Sequence, residues 1–194
     1  TVVDSMQALG LHVDKLRQQN AEHARDTALP ANESERLASL HNSQVLNEAW
    51  LSRYQEQIQQ ARSAFDTAYA QISWVDADWV YTPASTLLPL DAQTAQAGLP
   101  RAHTVCQYLV QQNSALVIED TLRDPRFADQ QEFHHQKVRL YAGVPLRDED
   151  GMVLGSLCVM DNKPRDISAE DLDLLQDMAD DLMQTLQTKN KHTD

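Results

Sequence analysis

Val138-Arg-Leu-Tyr-Ala-Gly-Val-Pro-Leu146, then Arg147-Asp-Glu-Asp-Gly151, then Met152-Val-Leu-Gly-Ser-Leu-Cys-Val-Met-Asp161 is the stretch that decides the fold. The two outer segments are apolar and rich in β-formers. Between them, Asp150-Gly151 supplies the positive φ that a hairpin turn needs. Val138 to Leu146 and Met152 to Asp161 therefore read as paired antiparallel strands. Leu140, Ala142 and Val144 share one face of the first strand, with Tyr141 on the other. Strict alternation sets Leu154, Cys158 and Met160 against Val153, Leu157 and Val159 on the second. Strands that are apolar on both faces belong in the middle of a sheet covered on both sides.

Downstream, Ser168 with Asp171 reads as a capping box opening a last helix, with Leu172, Leu175, Met178, Leu182 and Leu186 as its apolar stripe. Upstream, Gln130 to Lys137 reads as a polar helix, Asp120 to Phe127 as a loop, and Ala115 to Glu119 as a short strand. Pro100 suits the first turn of a helix whose buried face is Ala102, Val105, Cys106, Leu109 and Val110. Tyr69, Gln71, Ser73 and Val75 alternate with Ala70, Ile72 and Trp74, a strand pattern, and Trp79 to Thr82 is its partner. Leu51, Tyr54, Ile58, Ala61 and Phe65 repeat at helical spacing. Before them, Asn32 with Glu35 fits another capping box, followed by a break near Asn47. Val2, Met6, Leu9, Val13 and Leu16 form either the seam of a short coiled coil or one face of an amphipathic helix. The order is helix, hairpin, helix, strand, loop, hairpin, helix. It predicts an α+β fold with a central antiparallel sheet between helical layers. Residues 1–31 are read as an N-terminal helix and linker, 32–188 as the domain, and 189–194 as a polar tail.

The chain has 194 residues and a formal net charge of -13, with 42% hydrophobic residues for a core. So acidic a chain repels phosphate, which argues against nucleic acid and anionic membranes as partners. No apolar run is long enough to cross a bilayer. Thr1 to Asn20 lacks the pattern of a secretory signal, and a start at Thr1 fits an excised fragment. The two cysteines, Cys106 and Cys158, read as buried reduced thiols of a cytoplasmic domain rather than a disulfide scaffold.

Several stretches resemble the GAF family of bacterial signalling proteins. They are Asp120-Thr-Leu-Arg-Asp-Pro-Arg-Phe-Ala-Asp129, the two strands quoted above, Glu33-Ser-Glu-Arg-Leu37, Ile72-Ser-Trp-Val-Asp76 and Thr104-Val-Cys-Gln-Tyr108. The resemblance spans residues 32–188. It implies a five- or six-stranded antiparallel sheet, a small-molecule pocket on one side, and N- and C-terminal helices packed together on the other. It also implies a homodimer through those terminal helices and an output domain such as a diguanylate cyclase or histidine kinase. A shared fold does not settle function, so the site is argued separately.

Trp74, Cys106, Asp120, Phe127, Arg139 and Tyr141 are the candidate ligand-binding residues, expected to converge above one sheet face. Aromatic rings would enclose an apolar ligand, with Asp120 or Arg139 orienting it. The alternative is that the aromatics are core and the charged residues are a structural pair or loop anchors. No cofactor is identified. Family members that attach a bilin use a cysteine followed by histidine, whereas Gln107 follows Cys106 and Val159 follows Cys158. His103, His134 and His135 complete no metal motif. No phosphate loop, nucleophile elbow or catalytic carboxylate pair stands out. Three functions remain in view. The first is a sensor relaying a ligand's state through flanking helices, and the second is a ligand-free dimerisation module. The third is a free methionine sulfoxide reductase, which the family builds on a cysteine cluster absent here.

Overall fold

A computed structural model describes residues 29–87, 98–128 and 131–190. The heptad-like segment from Val2 to Leu16 and all but the start of the polar tail lie outside those residues. Helix α1 spans Glu33–Asn42, α2 Leu51–Phe65, α3 Cys106–Gln112, α4 Gln131–Gln136 and α5 Ala169–Asn190. The strands are β1 Tyr69–Val75, β2 Trp79–Ser85, β3 Leu99–Pro100, β4 Leu116–Ile118, β5 Leu140–Arg147 and β6 Val153–Asp161. They form one antiparallel six-stranded sheet in the order β3-β2-β1-β6-β5-β4. The α+β architecture and the hairpin at its centre agree with the reading of the sequence. No helix among the described residues is long and apolar enough to cross a membrane.

Helices α1, α2 and α5 cover one face of the sheet. Leu40, Tyr54, Ile58, Phe65, Leu175 and Leu182 meet Ile72, Trp74, Val144, Leu157 and Val159 in a single apolar core. Helices α3 and α4 cover the other face, over Tyr141, Cys158 and Met160. The apolar stripe of α5 is spent inside the domain, since Leu182 and Leu186 are 0% and 1% exposed. Its outer face carries Asp173, Asp177, Asp180 and Asp181, with Leu174 the large apolar side chain exposed among them.

Local details correct the sequence in four places. Pro100 belongs to edge strand β3, opposite Trp79, and α3 starts only at Cys106. An edge tolerates a residue with no N–H to donate. The side chain of Asn32 caps nothing; its amide nitrogen lies 3.0 Å from the Met152 sulfur. Alternation also slips in β6. Arg147 pairs with Val153 and Leu146 with Gly155, which leaves Leu154 as an extra residue in a bulge. Leu154 therefore joins Leu157 and Val159 against the helices, while Val153 turns to the side of Cys106. Finally, the segment read as polar around α4 buries Phe133. Elsewhere the signals held. Ser168 and Asp171 cap α5 reciprocally, at 3.0 and 3.1 Å. Asn47 accepts a bond from Ala49 N–H at 2.9 Å, and Gly151 has φ +79°.

The end of the sheet near α1 is tied by a buried arginine that sequence patterning did not reveal. Arg36, 1% exposed, donates to the carbonyls of Val75 at 2.7 Å and Val153 at 3.3 Å. Its other edge meets Glu33 with two 2.8 Å bonds. Arg101 bonds the same carboxylate. Burial pushes the Glu33 carboxyl up, but its bonds to Arg36 and Arg101 more than offset that, leaving it below the usual glutamate range.

Two tests follow from this packing. A Cβ on Gly155 would lie 2.0 Å from the Ser73 carbonyl oxygen, so Gly155→Ala is expected to destabilise by at least about 3 kcal/mol in urea unfolding. Gly151→Ala meets open space and should cost only about 1 kcal/mol, from its positive φ. Similar losses for the two would contradict the close strand contact. A lowered folded pKa gives stability that is present above the unfolded value and lost as pH falls through the folded one. The melting temperature should therefore fall more steeply below about pH 4.5 in the wild type than in Glu33→Gln. Equal slopes would mean that Glu33 is not held by the two guanidiniums.

Candidate functional site

On the face away from α1, α2 and α5, a second apolar layer packs under α3 and α4, and small polar groups of the central strands interrupt it. Gln71 and Ser73 project there from β1, and Ser156 and Cys158 from β6. The Ser85 hydroxyl donates to Gln71 Oε1 at 2.8 Å, and Gln71 Nε2 donates to Ser73 Oγ at 3.0 Å. The Ser156 hydroxyl lies 3.4 Å from the Cys106 sulfur, and the Cys158 sulfur 3.7 Å from the Gln71 carbonyl oxygen. Ser73 and Ser156 are fully buried.

These groups adjoin an enclosed cavity of about 20 Å³ between the sheet, α3 and α4. That is room for roughly one water. Gln71, Thr82, Thr104 and Gln136 supply its polar lining; the larger part of the described wall is apolar or aromatic and includes Val80, Val105, Cys106, Phe133, Tyr141 and Met160. Among the described residues, none of the lining side chains is charged at neutral pH. Gly143 keeps space for Tyr141, whose hydroxyl would lie 2.5 Å from a Cβ there.

The six candidate residues do not form one site. Cys106 and Tyr141 line the enclosed cavity together. Phe127 is buried in the adjoining core, edge-on to Tyr108 at 5.1 Å, with the Arg126 guanidinium 5.1 Å from its ring centre. Asp120 and Arg139 pair through bonds of 3.1 and 3.0 Å at a separate, open cleft beside Arg123 and Arg165. Trp74 lies on the opposite face of the sheet, 5.8 Å from Tyr54 between ring centres.

The acidic loop residues are anchors for the turn that seats Phe127. Asp120 Oδ1 accepts from Leu122 N–H at 3.1 Å, and its carbonyl accepts from Arg123 and Asp124. Asp124 repeats the pattern, accepting from Arg126 N–H at 3.0 Å and, through its carbonyl, from Phe127 and Ala128. The bond to Arg139 holds the Asp120 carboxyl below the usual aspartate range despite some desolvation. Asp124 is held low chiefly by Arg126. Turn chemistry of this kind consumes the polar groups that a ligand would otherwise meet.

Sequence reasoning missed Gln71, Thr82, Thr104, Phe133, Gln136 and Met160. For Gln71 a signal existed. A central strand whose one face reads Ala70, Ile72, Trp74 still places Gln71 and Ser73 on its other face. Among the described residues, no group of three His, Cys, Asp or Glu side chains is placed to hold a metal.

Comparison with known proteins agrees with this architecture. The profile of the GAF domain matches residues 50–186. A cyclic di-GMP phosphodiesterase of Pseudomonas aeruginosa is 32% identical over 161 residues, which is 82% of this chain and 26% of the relative. The chain thus spans about a quarter of that protein's length. Among solved structures, the GAF domain of an Acinetobacter phosphoenolpyruvate-protein phosphotransferase superposes with a TM-score of 0.59 at 15% identity, covering 81% of this chain and 96% of that one. A type II free methionine-R-sulfoxide reductase from Thermoplasma acidophilum gives 0.59 at 16% identity, covering 72% and 92%. The third GAF domain of Slr1393 from Synechocystis, in its photoproduct state, gives 0.57 at 16%, covering 74% and 98%. At these identities the structural likeness is one of fold. The profile, covering most of the chain, and the six-stranded sheet between helical layers agree: this chain belongs to the GAF domain family.

Proposed function

We propose that this domain is a signal-sensing regulatory module that takes a small uncharged molecule in the cavity under α3. It passes the outcome through the helices of the opposite face to an output domain or partner. The observation that carries this reading is the asymmetry of the sheet. One face is sealed by a continuous apolar core; on the other, the apolar layer leaves a small cavity to which Thr82 and Thr104 contribute buried polar groups. A charged ligand would lose its hydration there with no counter-charge among the described residues of the wall. A ligand larger than one water enters only by moving the wall, so occupancy and conformation are linked. The shift it causes is limited by its differential affinity for the two states.

The Pseudomonas relative supports an output in cyclic-dinucleotide turnover, since its name assigns it that activity and most of its length lies beyond the match. A diguanylate cyclase or a histidine kinase fits the same relay. A homodimer through the terminal helices would have to use the aspartate-rich outer face of α5 or residues before Leu29, because the apolar stripe of α5 already packs on the sheet. Bringing two such acidic faces together is opposed by like charge.

A reductase reading needs a reactive thiol. Reactive cysteines are accessible and electropositively placed. Cys106 and Cys158 are 4% and 0% exposed, and the Ser156 hydroxyl and the Gln71 carbonyl are among their neighbours.

Native mass spectrometry of protein purified from cells, compared with the denatured mass, tests the sensor reading. A non-covalent mass that disappears on denaturation, and is reduced in Thr82→Leu, is expected. Retention of that mass in Thr82→Leu would place the ligand elsewhere. A chromogenic disulfide reagent should label neither thiol within minutes in the native state and both in urea. Rapid native labelling of either would favour thiol chemistry.

A further inference from the structure

Glu33 is shared by two arginines that are held very differently. Arg36 is fully engaged, with both edges of its guanidinium bonded to Glu33 or to strand carbonyls. Arg101 reaches the same carboxylate and the carbonyls of Asp76 at 3.1 Å and Ala77 at 3.4 Å. Its buried Nε has no hydrogen-bond partner among the described residues. A buried donor left unmade is costly, so this arrangement is less well satisfied than that of Arg36.

Arg101 also sits between two segments of the cavity wall without lining the cavity itself. Its backbone N–H donates to Asp78 at 2.9 Å, and its carbonyl accepts from both the N–H and the hydroxyl of Thr104, at 3.1 and 3.0 Å. Thr104 and Cys106 line the cavity on one side of Arg101 in sequence, and Leu99 lines it on the other. Displacing this wall therefore displaces Arg101.

We propose that the Glu33–Arg101 contact is the coupling element through which the state of the cavity reaches α1. This rests on the sensor reading above and adds its route. Glu33 can release Arg101 without becoming an orphaned charge, because its bidentate pair with Arg36 remains. Arg36 stays in place through the carbonyls of Val75 and Val153. Arg101 keeps its bonds to the turn at Asp76 and Ala77. The contact can thus be closed, tying α1 to the turn that Arg101 holds, or open, with Glu33 kept by Arg36 and Arg101 kept by the carbonyls of Asp76 and Ala77 at the cost of its carboxylate partner. Coupling of this kind is reciprocal, so clasping α1 also favours the closed cavity.

The test needs no ligand. Val80 lines the cavity and is 1% exposed, and Val80→Ile adds a methylene to a space of about 20 Å³. Amide hydrogen exchange is followed across α1, with α5 as the control for global opening. Val80→Ile is expected to change α1 exchange by about fivefold in the wild type and by less than about twofold in Arg101→Gln. Glu33→Gln, which keeps both guanidiniums, is the second background should Arg101→Gln fail to fold, and the same loss of effect is expected in it. An equal change with and without the contact, or no change in the wild type, overturns the proposal. Retention of a small molecule in native mass spectrometry is read independently, so the route can fail while the sensor reading stands.

Discussion

The sheet is organised by the close passage of β1 past β6, where the Ser73 carbonyl oxygen sits 2.0 Å from the place a side chain on residue 155 would begin. Only glycine allows that approach. The contact fixes Trp74 opposite Gly155 and Ser73 opposite Ser156. It also follows directly on the Leu154 bulge, which resets the phase of β6. With that register, Ile72, Trp74, Leu157 and Val159 all face α1, α2 and α5, while Gln71, Ser73, Ser156 and Cys158 lie on the opposite face, where Gln71 lines the cavity. A slip of one residue would exchange the two sets.

The two faces then have different physical characters. Against α1, α2 and α5, large side chains interdigitate, and the fully buried ones include Trp74, Tyr54, Leu157 and Leu175. Tyr54 adds a 2.6 Å bond to the Val45 carbonyl, and its burial pushes the phenol well above its usual range. Such packing resists deformation. On the other face, Thr82, Thr104 and Cys106 stand among Val80, Val105, Phe133 and Met160 around a small void under α3. A layer that contains a void is easier to remodel than a close-packed core. A rigid face beside a deformable one suits the relay proposed above, in which the cavity lies across the sheet from the helices that would carry its state.

Much of this fold was legible because periodicity reports burial directly. The β5–β6 pair, its Asp-Gly turn, the stripe of α5 and the Ser168–Asp171 cap were all readable from spacing alone. What escaped were features set by tertiary context. The bulge at Leu154 breaks no composition rule and is needed only because of the contact with Ser73. Asn32 has the right chemistry for a cap but turns its amide to Met152. Arg36 looks like an ordinary charged helix residue until two strand ends supply its acceptors. The site was less legible still. Aromatic and charged residues attract attention in a sequence, yet Trp74 serves the opposite core and Asp120 serves its own turn. The polar part of the cavity wall comes from threonines and glutamines, which are unremarkable until the sheet is assembled.

The central claim is that the sheet divides a sealed helical face from a face that accommodates a small molecule. Backbone amide NMR of the protein as purified, compared with the same protein unfolded, dialysed and refolded, tests it most directly. The account predicts shift changes concentrated at Gln71, Thr82, Thr104 to Cys106, Tyr141 and Met160, with the α2 and α5 core amides unmoved. Identical spectra, or changes centred on Trp74, Leu157 and Leu182, would contradict it.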